Sequence, residues 1–472
     1  MSAVPPAPAV DGEQVARASL LIPVTLGAVF FMEGLDSTII ATSLPQMARS
    51  LGVGAAAIGA TMTAYFVSVS IWIGASGWLA DRFETRRVFL AAIVVFVAGS
   101  VVCGLSSNLA VLILGRFVQG AGGALMIPIG RLILARSFPR NELVHAMSFM
   151  IIPGMAGPML GPVIGGWITT YLDWRWIFFV NVPLGVIGVT LALKYLKRHA
   201  GAARAPFDAV GFVLVAIALV SIQGGLQLVA ASRPDLRAAL PALGLGLAAC
   251  ALYARHARRP APILDLRLFR HRSFAIAVLG GFFARVALGS TLFILPLLFQ
   301  LGLKASALAA GVLLGLQALG QIVVRPAIDP LLGAAGVRIA LVGAAAVLAA
   351  MLAGLALFGQ GAPLWLVGGY ILAFGFIQSV LLSTLAALSL SGMPNEALGA
   401  ATSIAAVAQR LAPALGITLS SIVLAAVSHG PPGLADLRAP ILAVGAVMAG
   451  AALGFLALRP GDGADLLKRS PR

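Results

Sequence analysis

Apolar runs close to 20 residues long recur along this chain, separated by short polar pieces. A helix needs about 20 mostly apolar residues to cross the hydrocarbon core of a bilayer. Against that length the runs predict spans near 20–46, 57–77, 88–106, 109–131, 143–169, 176–194, 208–230, 238–254, 273–297, 306–324, 338–358, 364–387, 398–427 and 438–458. The expectation is an all-α integral membrane protein of fourteen spans. An even number puts both chain ends on one side. No piece between the runs has the length of a soluble domain. The longest, 255–272, reads RHARRPAPILDLRLFRHR, a basic linker whose apolar centre suits the membrane surface.

Composition agrees with that reading and excludes others. Of 472 residues 60% are hydrophobic and 10% charged, against roughly 25% charged in soluble domains. The net charge of +16 does not point to nucleic acid, because the basic residues sit in short pieces between apolar runs. With the N-terminus in the cytoplasm, about 22 of the 32 Lys and Arg fall on inner segments and about 6 on outer ones. The positive-inside rule therefore selects cytoplasmic N- and C-termini. Arginine outnumbers lysine, as in GC-rich bacterial genomes, so the bacterial cytoplasmic (inner) membrane is the expected location. The first 19 residues lack the basic start and cleavage site of a signal peptide, and the first run reads as an uncleaved span. Cys103 and Cys250 both fall inside apolar runs, and the 5 histidines are isolated. Neither a disulfide framework, nor a metal site, nor an enzyme's catalytic cluster is expected.

Charge in hydrocarbon is costly, so ionisable residues at membrane depth mark function by default. Of the 16 acidic residues only Glu33 and Asp36 lie deep in an apolar run. On a helix they sit about 60° apart on one face. Thr25 and Ser43 fall near the line of Asp36, so the first span carries a polar stripe. Two carboxyls this close in a low dielectric do not both ionise readily, and a proton-coupled carrier requires a carboxyl that titrates near neutral pH. The plainer alternatives are a fixed salt bridge to a buried arginine, or for Glu33 a place near the outer interface. Arg116, with Gln119 one turn further along the fourth run, needs an acceptor when buried. The first-span carboxylates are the scarce candidates; a purely structural anchor is the other reading. Arg285 and Arg410 lie within later runs, with Gln317, Gln378 and Gln409 at neighbouring polar positions. They suit either a cavity for an anionic or zwitterionic molecule or packed ties between helices.

Four segments carry a more specific pattern: LDSTIIATSLP (35–45), GWLADRFETRR (77–87), LILGRFVQGAGGA (112–124) and GPMLGPVIGGWI (157–168). Gly157, Gly161, Gly165 and Gly166 recur at a spacing that lets helices approach closely, and Pro158 and Pro162 bend the span. In order, the segments resemble the first-helix motif, the loop motif, the buried-arginine motif and the antiporter motif of the major facilitator superfamily. DWRWIFFVNVPLG (173–185) resembles a helix junction of its fourteen-spanner drug:proton antiporters, often called EmrB/QacA-like. Glu84 stands where most such relatives have glycine, which puts the tight turn of the loop in question. RPAIDPLLGAAGVR (325–338) echoes the loop motif only loosely.

The resemblance implies a major facilitator fold. It divides into an N-terminal tail (1–19), a six-helix half (20–194), two inserted helices (195–255), a cytoplasmic linker (256–272), a second six-helix half (273–458) and a tail (459–472). Beside it, charge at membrane depth leaves proton coupling to Asp36, Glu33 and Arg116. Gly77, Asp81, Arg82, Arg86 and Arg87 become a conformational loop, and Gly157, Gly161, Pro162, Gly165 and Gly166 the antiporter segment. Gln119, Arg285, Gln317, Gln378 and Arg410 are the candidate lining of the substrate cavity. The implied activity is proton-coupled export of small amphipathic or cationic compounds by alternating access. Lipid, substrate and protons are the partners, a periplasmic adaptor is a candidate, and a monomer is the working unit. No cofactor is expected beyond the proton gradient, since the chain lacks a GxxxxGK[ST] phosphate loop. A carrier of organic-anion metabolites is the nearest rival. A membrane sensor is a more distant one, for which no soluble signalling domain is seen.

Overall fold

The computed structural model describes residues 12–198, 207–231, 234–259, 262–391, 393–394, 397–428, 430–459 and 462–463. The ends of both expected tails, His199, Arg204, Arg233 and His429 lie outside the described residues. All regular structure among the described residues is helical, as lipid demands, because an apolar medium offers backbone groups no partner outside the helix itself.

The first six long helices are α1 Gly12–Ile39, α2 Ala55–Arg82, α3 Thr85–Gly104, α4 Leu109–Ser137, α5 Arg140–Tyr171 and α6 Asn181–Tyr195. A pair follows, α7 Ala209–Val229 and α8 Leu236–His256. The last six are α9 Gly281–Leu297, α10 Ala307–Val323, α11 Arg325–Leu355, α12 Leu364–Leu388, α13 Leu398–Val427 and α14 Leu434–Phe455. Among the described residues 13 spans are long and apolar enough to cross a membrane, with α6 counted as part of Trp176–Tyr195 and α9 as part of Arg272–Gly302; α10, at 17 residues, is a shorter apolar helix. Its length of about 26 Å still approaches the hydrocarbon thickness. Several helices begin on a polar cap: Asn108, Asp208, Asp235 and Ser306 each accept a hydrogen bond from the backbone N–H three residues on. Such a cap contributes about 1 kcal/mol.

Two spans differ from their sequence expectation. The first does not run as one helix over 20–46: α1 ends at Ile39, a 3-10 turn covers Ile40–Ser43, and a short helix Leu44–Ser50 follows. Pro45 supplies no N–H to continue the ladder, and Ser43 hydrogen-bonds Thr169 of α5 instead. The segment 325–338 is not a loop. It is a helix joined to the span across Gly336, whose φ of 77° suits glycine alone.

Helix α1 packs along α5 and α3 along α4, which builds the first half; α14 packs against both α11 and α9 in the second. The halves meet where α2 lies on α13 and α5 lies on α10. The pair α7–α8 packs on itself, and α7 touches α2 and α13 together. Gln227 donates to Thr63 of α2 and to Thr418 of α13, so this pair straddles the seam. At one end of the pair Asp208 bonds His256. Burial pushes the Asp208 carboxyl up. Hydrogen bonds from the Gly211 N–H, His256 and the Ile263 N–H outweigh it and leave the group below its ordinary value. Large apolar side chains such as Leu245, Ile339 and Trp365 stay exposed, which in this protein is surface for lipid.

Candidate functional site

The polar stripe of α1 enters a closed network. Asp36 is fully buried and Arg116 is 1% exposed. The Arg116 guanidinium donates to Asp36 Oδ2 at 2.8 Å and to Gln119 Oε1 at 2.7 Å. Gln119 and Asn181 each donate to Asp36 Oδ1 at 2.7 Å. Both amides also donate to Ser100 Oγ. The guanidinium lies over the Tyr65 ring, 4.3 Å from its centroid. Three helices thus supply the carboxylate, its cation and the amide donors, and two more bring the Ser100 acceptor and the Tyr65 ring. Breaking one partner of such a buried pair is costly, because the other charge is left uncompensated.

Glu33, one turn before Asp36, belongs to a different contact. It accepts from the Tyr65 hydroxyl at 3.3 Å and from Arg410 of α13 at 3.4 Å. Arg410 is not part of a glutamine cluster; it reaches across the seam, so this ion pair joins the two halves. Tyr65 touches both carboxyl systems, with its hydroxyl on Glu33 and its ring under Arg116.

A separate cavity of about 280 Å³ opens beside α9. Arg285, Gln317, Gln378 and Gln409 line it together with Gln321 and Thr38. Gln119 does not reach it, because its amide is spent on Asp36, Arg116 and Ser100. Of the five residues expected at a substrate cavity, Arg285, Gln317 and Gln378 line this one, and Gln119 and Arg410 are held elsewhere by charged partners. Asn181, Ser100 and Tyr65 were not singled out from sequence. Asn181 was legible as an amide inside the apolar run 176–194, whereas Ser100 and Tyr65 carry no signal without the packing.

The glycine segment of α5 divides between two neighbours. Gly157, Gly161 and Gly165 meet the backbone of α1, and Gly166 meets Ala307 and Leu308 at the start of α10. Gly311 in turn sits against Pro162. Near the same end, Gly59 of α2 lies against Ser421 and Ile417 of α13. The halves are therefore pressed together at the end holding residues 59, 166 and 421. A Cβ at Gly166 would run into backbone that cannot step aside, and overpacking costs about 1–3 kcal/mol. We predict that Gly166→Val opens this end. In a background lacking Cys103 and Cys250, a cysteine at Ser421 should react faster with an impermeant maleimide in that variant. An unchanged rate would refute the closure.

Residues 77–87 cover the end of α2, the turn at Phe83 and Glu84, and the start of α3. Asp81 meets Arg136 in the last turn of α4 at 3.5 Å, with both groups partly exposed, a pair worth little by itself. Arg86 donates to the Leu193 carbonyl, and Arg87 pairs with Glu84 at 3.0 Å. Arg82 is exposed and Gly77 has open space beside it. Glu84 adopts φ −59°, so this turn forms without glycine.

The model of the Major Facilitator Superfamily matches residues 26–417. Proteins named "Putative multidrug resistance protein MdtD" are similar over most of their length. That of Pectobacterium atrosepticum is 34% identical over 84% of this chain and 85% of its own. That of Klebsiella pneumoniae is 35% identical over 84% of both chains. Among solved structures, a mutant of the nucleoside transporter NupG superposes with TM-score 0.69 at 13% identity, covering 93% of this chain and 99% of its own. A peptide transporter POT bound to sulfate superposes with TM-score 0.69 at 18% identity, covering 98% and 100%. These likenesses extend to the fold.

Proposed function

The chain belongs to the major facilitator superfamily, a multi-pass membrane transporter family, and we propose that it exports small amphipathic compounds in exchange for protons, as a multidrug efflux pump. The observation that carries this is a buried carboxylate–guanidinium pair, Asp36–Arg116, with a second ion pair, Glu33–Arg410, one turn away across the seam. Both carboxyls lie on α1, so a proton arriving at either changes the contacts of the same helix. Tyr65 links the two.

In the proposed cycle both termini are cytoplasmic, in the bacterial inner membrane, and the closed end at residues 59, 166 and 421 faces outward. Substrate enters the cavity from the inside. A proton taken up by Asp36 when the outer side is open weakens its hold on Arg116, and one taken up by Glu33 releases Arg410. Proton release to the cytoplasm re-forms both pairs and resets the closed outer end. Each charge moved through 100 mV supplies ~2.3 kcal/mol, roughly fifty-fold in concentration. No cofactor enters the cycle. A monomer suffices, and a periplasmic adaptor would extend export beyond the inner membrane.

The test is dye transport in everted vesicles from a host lacking its own pumps. Energised vesicles should accumulate amphipathic dyes, and a protonophore should abolish the accumulation. Accumulation that survives the protonophore would exclude proton coupling. No accumulation of any dye tested would exclude efflux.

A further inference from the structure

We propose that the cavity beside α9 selects substrates by an anionic group, a carboxylate in the first instance, held by Arg285. This rests on the export reading and narrows it, against the expectation of a cationic substrate. Among the described residues the cavity lining holds no Asp or Glu, and Arg285 is its one charged side chain. The acid that a cation would seek, Asp36, is fully buried and already accepts from Arg116, Gln119 and Asn181. The other acid of α1, Glu33, faces Arg410.

Arg285 Nε is buried with no hydrogen-bond partner among the described residues. A guanidinium stays charged at any working pH and presents donors in a fork that matches a carboxylate. Arg285 is half-buried and has no acid partner among the described residues; an unpaired cation at membrane depth is costly, and an anionic ligand lowers that cost on binding. The amides around it are arranged to the same end. Gln317 and Gln321 both donate to Gln378 Oε1, so the Gln378 carbonyl is occupied and its own N–H groups are left to donate. The rest of the lining is mostly apolar, including Leu288, Leu292 and Leu314. About 280 Å³ suits a compact body such as one bicyclic ring carrying one acid group.

Three probes on one ring separate the charge classes: naphthoate, naphthamide and naphthylmethylamine. Binding is measured on the purified full chain in nanodiscs, and proton-driven uptake in everted vesicles. Wild type should bind naphthoate at least about tenfold more tightly than the amide, and the amine least. Arg285→Gln should lose the preference for naphthoate and keep the weak amide binding, while Arg285→Lys, which keeps the charge, should retain part of it. Equal or tighter binding of the amine by wild type, or an undiminished naphthoate preference in Arg285→Gln, would overturn the proposal. Absence of proton-driven uptake together with selective naphthoate binding would sink the export reading and leave this site standing.

Discussion

Asp36→Asn should abolish proton-coupled export while the helices remain assembled in the membrane. The substitution keeps the shape of the side chain and removes the carboxyl of the Arg116 network. It also replaces one acceptor oxygen by a donor, where three donors now converge on the carboxylate. A mismatched buried hydrogen bond costs about 1–3 kcal/mol, so a lowered thermal midpoint is expected without loss of fold. Arg116 keeps Gln119 Oε1 and the Tyr65 ring as partners. Accumulation in everted vesicles should fall to the level of vesicles without the protein at every pH. Normal accumulation with an unchanged pH profile would remove Asp36 from the coupling.

Arg116→Ala is expected to damage stability more than any other single change in the network. It leaves the Asp36 carboxylate buried with two neutral amide donors and no counter-charge. Breaking a buried pair by deleting one partner costs about 3–5 kcal/mol. Protein yield and the thermal midpoint in detergent should both drop. The double change Asp36→Asn with Arg116→Gln separates structure from coupling, because it removes both charges together. That variant should regain much of the stability lost in Arg116→Ala and still fail to couple. If Arg116→Ala matches wild type in thermal midpoint, the pair contributes nothing to the fold.

The order of spans was readable because lipid leaves few solutions: an apolar run near 20 residues long must be helix. Short-range chemistry was less readable. Pro45 interrupts a helix where the apolar pattern runs on, so hydropathy overlooks it, and the helix that precedes Gly336 lies in a segment between two predicted spans. Charge at membrane depth located Asp36, Glu33 and Arg116, since few residues of that kind can occupy hydrocarbon. Which carboxyl meets which arginine was not available from helical periodicity. Glu33 and Asp36 lie on one face, yet α13 reaches the first and α4 the second. The neutral partners were the hardest to see. Ser100 and Tyr65 are ordinary residues of apolar helices, and only the approach of α3 and α2 to α1 makes them part of the site. The glycines of α5 were read as a close-packing stripe, but not that Gly166 faces α10 while its neighbours face α1.

The central claim is that Asp36 carries the exchanged proton. Its most direct test is proton release from purified protein in weakly buffered nanodiscs when an exported compound is added. Wild type should acidify the medium in proportion to the compound bound, and Asp36→Asn should bind the compound with clearly less acidification, keeping only the share of Glu33. Equal proton release by the two proteins would contradict the account.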